Sequence, residues 1–117
     1  MFEGLEIFQL AGGLARHAAS RQAVVAQNIA NADTPGYRAR DVADFQQTWR
    51  AMTDEARAGR AEMPMRVIDA GTPASPNGNS VSLEFEMLRG IEAQRAHSRA
   101  MQVYGSALSI LRTSIGR

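Results

Sequence analysis

From residue 3 to residue 31, apolar and small positions recur at spacings near three and four: Ile7, Ala11, Leu14, Ala18 and Val25, with Ala32 just beyond. That period predicts one long helix over 3–31, roughly 40 Å long. The heptad phase puts Arg21 and Asn28 on the same stripe. Either they are buried polar positions that cost stability and fix register, or the stripe has drifted and Arg21 is exposed. Glu3 and Glu6 in the first turn complement the helix dipole. A second long pattern runs over 82–115. Ser82 reads as its N-cap and Glu84 and Glu86 as first-turn acids. Met87, Ile91, Met101, Tyr104, Leu108, Leu111 and Ile115 form its stripe, at spacings suited to a coiled-coil-like seam. The stripe turns polar between Gln94 and Ser98, and Arg112 and Arg117 suit the C-terminal end.

Between the long helices the pattern changes three times. Asn31 to Tyr37 predicts a rigid turn. Asn31 suits a left-handed C-cap, Pro35 disfavours helix at Thr34, and Pro35-Gly36 fits the centre of a type II turn. Asp33 and Thr34 can bond neighbouring backbone amides. Val42, Phe45, Trp49, Met52 and Ala56 then predict a shorter amphipathic helix over 41–60, with Trp49 as a packing anchor. Residues 63–80 carry Pro64, Gly71, Pro73, Pro76 and Asn77-Gly78-Asn79 and read as a loop. Met65, Val67 and Ile68 suggest a brief extended segment within it.

The expected fold is therefore all-α and a single unit over 1–117. Two long terminal helices pack in a coiled-coil-like manner, with the turn, short helix and irregular loop spanning 32–80. Composition adds a constraint. Of 117 residues 44% are apolar, but much of that is alanine and only 6% is aromatic, so a self-sufficient core is thin. Two readings stand: a marginal helical monomer, or a chain that completes its core against copies or partners.

A net charge of +1 gives little pull toward nucleic acid or anionic lipid. All 13 basic residues are Arg, which suits fixed bidentate pairing and equally follows from a GC-rich genome. Without Cys there is neither a disulfide framework nor a thiolate metal site. No apolar run approaches the roughly 20 residues of a membrane span, and the N-terminus does not read as a Sec signal. By its own sequence the chain reads as cytosolic, as would a protein leaving by a specialised secretion route. His17 and His97 have no ligand or carboxylate partner at metal or catalytic spacing and read as exposed or interfacial. Gly12-Gly13, flanked by Ala11 and Ala15, lies inside the helical pattern as a weak spot or, preferably, a close helix contact. Arg38, Arg40 and Arg50 are interrupted by Asp41 and Asp44, so no nucleic-acid site is expected. No catalytic, metal or cofactor residues are assigned.

The run Ala26-Gln27-Asn28-Ile29-Ala30-Asn31-Ala32-Asp33-Thr34-Pro35-Gly36-Tyr37-Arg38-Ala39-Arg40-Asp41, preceded by Ser20-Arg21-Gln22, closely resembles the motif of the bacterial flagellar rod and hook (axial) proteins. A second block, Gly78 to Met87, resembles the family segment that opens the C-terminal helix. Length leaves no room for the large middle domain of hook and distal rod members, and the stretch from Tyr104 to Ile115 resembles the proximal rod branch. Ser82 stands where the family often has Asp, and Phe85 where an acidic residue is frequent.

The resemblance implies a structural rod subunit, not an enzyme. Such subunits are exported by the flagellar type III apparatus and polymerise in the periplasm through their terminal helices. Implied partners are copies of the chain, other proximal rod proteins, the rod–ring adaptor, and the base of the inner-membrane ring and export apparatus. It implies family-motif residues at Asn28, Asn31, Asp33, Thr34, Pro35, Gly36 and Tyr37. The assembly seam is expected on Ile7, Leu14, Val25, Met87, Ile91, Met101, Tyr104, Leu108, Leu111 and Ile115. The competing class is a helical adaptor or chaperone of the export system that does not polymerise.

Overall fold

A computed structural model describes residues 2–116. The expected dipole contributions of Glu3 and Arg117 lie outside the described side chains. The elements are α1 (Phe2–Ala30), β1 (Arg40–Val42), α2 (Phe45–Ala51), α3 (Asp54–Arg57), β2 (Val67–Asp69) and α4 (Leu83–Ile115). The long helices run antiparallel. Gly4 of α1 faces Leu111, Gly12 faces Tyr104, and Val25 faces Gly90. The result is a 64 × 25 × 17 Å molecule. Its radius of gyration is 17.2 Å, against roughly 13 Å for a compact domain of this length.

The helices meet through small side chains. Ala11, Ala18 and Val25 of α1 and Ala93, Ala100 and Ala107 of α4 are buried at seven-residue intervals, the period of an antiparallel two-helix seam. The expected stripe of larger residues on α4 is rotated from that seam. Tyr104, Leu108 and Leu111 flank it half-buried, whereas Met87, Ile91, Met101 and Ile115 are exposed. Of the twelve buried apolar residues among those described, nine are alanine. Each alanine methyl contributes only about 0.8 kcal/mol of burial, so the hairpin has a shallow core.

The predicted helix over 41–60 is instead a strand and two short helices. Asp44 accepts from the Gln46 amide and opens α2, and Thr53 accepts from the Ala56 amide and opens α3. Between them Met52 is extended, at φ −76° and ψ 143°, and buried. Two competing N-caps broke the helix that the apolar period alone suggested. Val42 belongs to β1, which pairs antiparallel with β2 in the register Arg40↔Asp69, Asp41↔Ile68 and Val42↔Val67. The extended segment expected near Val67 and Ile68 is that second strand.

Trp49 stacks on Phe45 with centroids 5.6 Å apart, and Phe45 meets His17 edge-on at 5.5 Å. His17 Nε2 lies 2.8 Å from the Ala43 carbonyl, so its role is to hold the chain after β1 against α1. His97 is exposed on α4. At Gly13 the close-contact reading holds: an added Cβ would lie 2.6 Å from the Trp49 ring.

Candidate functional site

Helix α1 ends in a polar joint. Asn31 does not take the left-handed cap conformation; among the described residues only glycines have positive φ. Its amide N–H is shared between the Gln27 and Asn28 carbonyls, and its side-chain amide donates to Gln27 O at 2.9 Å. The helix tightens into i→i+3 bonds, which satisfy the last carbonyls without a left-handed residue. Thr34 to Tyr37 closes as the expected turn. Tyr37 N–H donates to Thr34 O at 3.2 Å, and Gly36 sits at φ 76°. The Thr34 hydroxyl donates to Asn31 Oδ1 rather than meeting a backbone amide. Asp33 and Pro35 stay on the exposed rim.

The turn is fastened to the segment that leads into α4. Buried Asn79 donates to the carbonyls of Asn31 (2.9 Å) and Thr34 (2.7 Å) and accepts from Val81 N–H (2.8 Å). Ser80 N–H donates to Tyr37 O, and the Ser80 hydroxyl accepts from Ala39 N–H at 2.7 Å. Gly78, at φ 85°, approaches Gly36 so closely that an added Cβ would lie 3.2 Å from the Gly36 Cα. The two motif blocks, some forty positions apart in the chain, therefore form one joint.

Asn28 and Glu86 lie at its centre, both fully buried. The Asn28 amide donates to Arg40 O at 2.7 Å and Glu86 Oε1 at 2.8 Å. Its oxygen accepts from the Tyr37 hydroxyl at 3.0 Å and from Arg40 N–H at 3.1 Å. All four hydrogen-bonding positions of the side chain are used. Glu86 Oε2 accepts from Arg89 at 2.6 Å, and Arg89 lies 3.7 Å from Asp41. Asp41 takes a second guanidinium, Arg21, at 3.1 Å, which also reaches Glu92 at 3.2 Å. Burial disfavours charge on Arg21, but Asp41 and then Glu92 more than offset it, so its pKa stands above the ordinary arginine value. Arg21 is thus half-buried at the edge of the seam and ion-paired, between the two readings its spacing allowed.

This network distinguishes one register from another. The alanine seam repeats every seven residues on both helices, so a slip of one heptad would retain most of its packing. The pairing of Asn28 with Glu86 would be lost, along with the Arg21–Glu92 ion pair and the Asn79 bonds to the turn, leaving a buried carboxylate and amide unmatched. Sequence reasoning missed Glu86, because an acid in a first helical turn reads as a dipole complement. It also passed over the alanine heptad, which was visible in Ala93, Ala100 and Ala107.

The other feature is apolar surface. Leu83, Phe85, Met87, Leu88 and Ile91, five of nine consecutive residues opening α4, are each about half exposed. Ile7, Leu10, Val103, Ile110 and Ile115 extend exposed apolar surface along the molecule. Of the expected seam, Val25 is buried and Leu14, Tyr104, Leu108 and Leu111 are partly covered by the hairpin itself. The remaining five, Ile7, Met87, Ile91, Met101 and Ile115, face solvent. No helix among the described residues is long and apolar enough to cross a membrane.

A family profile described as "Flagella basal body rod protein" matches residues 10–38, most of α1 and the turn. The flagellar basal body rod protein FlgB of Agrobacterium fabrum is 34% identical over 107 residues, covering 80% of each chain. The chain belongs to the FlgB family of flagellar basal body rod proteins. FlgB of Salmonella typhimurium is 29% identical over 109 residues, covering 77% of this chain and 78% of that one. FlgB of Escherichia coli is 54% identical over 39 residues, a third of this chain. In this FlgB-family chain, the stretch matched by the profile supplies Arg21, Asn28, Asn31, Thr34 and Tyr37, which make one half of the joint. The half from 78 to 89 lies outside it.

Proposed function

We propose that the chain is a structural subunit of the proximal rod of the flagellar basal body. It polymerises through its terminal helices into the shaft that transmits motor torque, and motility requires it. The observation that carries this reading, beside family membership, is the inversion of apolar residues. Alanines fill the interior, while fifteen large hydrophobics among the described residues remain exposed. A monomer rarely leaves so much apolar area in contiguous patches. Neighbouring subunits cover it in the rod, and assembly stabilises the helices by mass action. The buried joint holds α1 and α4 in one register, so each copy presents the same face. Its partners are copies of itself, other proximal rod proteins, the rod–ring adaptor, and the base of the inner-membrane ring and export apparatus. It reaches the periplasmic rod through the flagellar type III route.

Deletion followed by microscopy of isolated basal bodies tests the reading. The expected result is loss of motility, with inner-membrane rings present and the rod missing, restored by the intact gene. A non-polymerising adaptor or chaperone would stay in the cytosol and be absent from purified basal bodies, and that outcome would overturn the proposal.

A further inference from the structure

A groove of about 290 Å³ opens where α3 lies across the α1–α4 hairpin. Phe8, Gly12, Met101 and Tyr104 form its apolar floor, with the Phe8 and Tyr104 rings 4.3 Å apart. Arg16 and Arg57 stand on its rim. Arg16 donates to the Ala56 carbonyl and Arg57 to the Trp49 carbonyl. Neither forms an ion pair among the described residues. Glu6 and Asp54 line the depression beyond Arg57 without reaching ion-pair distance of it. The groove is at the small end of the range of roughly 300–1,000 Å³ typical of ligand sites, and it is open. Arg57 also lies 5.3 Å over the Trp49 ring, and an apolar floor beside two guanidiniums that lack a carboxylate at ion-pair distance suits an apolar helix face that carries a carboxylate.

The chain has such a face. Glu84, Met87, Leu88 and Ile91 stand at i, i+3, i+4 and i+7 on α4, opposite the buried line of Glu86 and Ala93, and all four are exposed. That spacing is how an amphipathic helix anchors in a groove. Glu84 has no ion-pair partner among the described residues. Leu88 and Tyr104 are sixteen residues apart, about 24 Å along the helix, so no copy can fill its own groove with its own face.

We infer that the outward face Glu84–Ile91 of one copy docks in the Phe8–Tyr104 groove of the next, with Glu84 meeting Arg16 and Arg57. This rests on the proposed self-assembly and names the surfaces that make it. The surfaces differ, so the contact is head-to-tail and propagates into a ring or helix rather than ending at a dimer. The face exposes a few hundred Å² of apolar area, less than the roughly 800 Å² per partner of a stable pair. It therefore works by repetition within an assembly.

The chain has no cysteine, so introduced thiols report one contact. Basal bodies are isolated from cells whose only copy carries Ala58→Cys together with Leu88→Cys, and are oxidised with diamide, which joins two thiols in contact as a disulfide read on a non-reducing gel. A ladder of linked subunits is expected from the double variant and none from either single variant. Glu84→Arg, at an exposed site, should lower the linked yield about fivefold. Adding Arg57→Glu should restore it to within about twofold. Circular dichroism of the free variants verifies helix content. Basal bodies that contain the chain but give no ladder overturn this contact and leave the proposed function standing. Links in the Leu88→Cys single variant overturn it in favour of a symmetric pair. A chain missing from basal bodies overturns both proposals.

Discussion

Replacing Asn28 with alanine removes one small side chain from a fully buried site and strands four groups at once. Glu86 Oε1, the Tyr37 hydroxyl, Arg40 N–H and Arg40 O all lose the partner they have at 2.7–3.1 Å. An unmatched buried polar group costs about 1–3 kcal/mol, with charged groups at the upper end. The Glu86 carboxylate has no exposure, so it takes the larger figure, although Arg89 still holds its other oxygen. Tyr37 is half-buried and Arg40 is exposed, so water reaches part of their loss. The sum is about 3–5 kcal/mol, a large fraction of the stability of a typical domain of this size. Urea unfolding followed by circular dichroism, on samples shown monomeric by sedimentation, should put the midpoint roughly 2 M lower, given typical urea slopes. Asn31→Ala is the control. Its side chain also accepts and donates beside the same turn, but at the surface, and should cost less than about 1 kcal/mol. Equal midpoints for the two variants would refute the claim that the joint is held from Asn28.

Three more outcomes follow from the geometry. Gly13→Val should destabilise by about 2 kcal/mol and shift the emission of Trp49, the single tryptophan, because its Cβ would meet the indole at 2.6 Å. Gly12→Ala, whose Cβ would meet Tyr104 at an ordinary 3.7 Å, should stabilise by about 0.5–1 kcal/mol in the same unfolding assay. The Gly71 amide first, and then Arg38, holds the Asp69 carboxyl below its ordinary value. Its contribution is present above the unfolded pKa and is lost as pH falls through the lower folded value. Carboxyl titration by NMR should place Asp69 below the ordinary value of a free aspartate, and Arg38→Ala should raise it while leaving it short of that value.

The extents of α1 and α4 were legible because each combines long helical periodicity with local punctuation: Ser82 at one start, Pro35-Gly36 after one end. The turn was legible for the same local reason, since φ at Gly36 follows from the chemistry of the residue pair. The middle of the chain was misread where two signals compete. Val42, Phe45, Trp49, Met52 and Ala56 keep a helical period straight through Asp44 and Thr53. The caps decide the structure because a side-chain bond to a free amide ends one helix and starts another. What no local reading could reach is burial set by a distant partner. Glu86 is interior because Asn28, 58 positions away, supplies a donor. The large apolar residues of α4 point outward because alanines at the seam already satisfy α1.

Accessibility of the outward face of α4, in the free chain and in the flagellum, tests the central claim most directly. Leu88→Cys introduces the sole thiol of the chain at a half-exposed position. The free subunit should react with maleimide at the rate of an unhindered thiol. The same residue in isolated basal bodies should be protected at least tenfold and recover its reactivity on disassembly. Equal labelling in both states would mean that this face is not covered by neighbours in the rod.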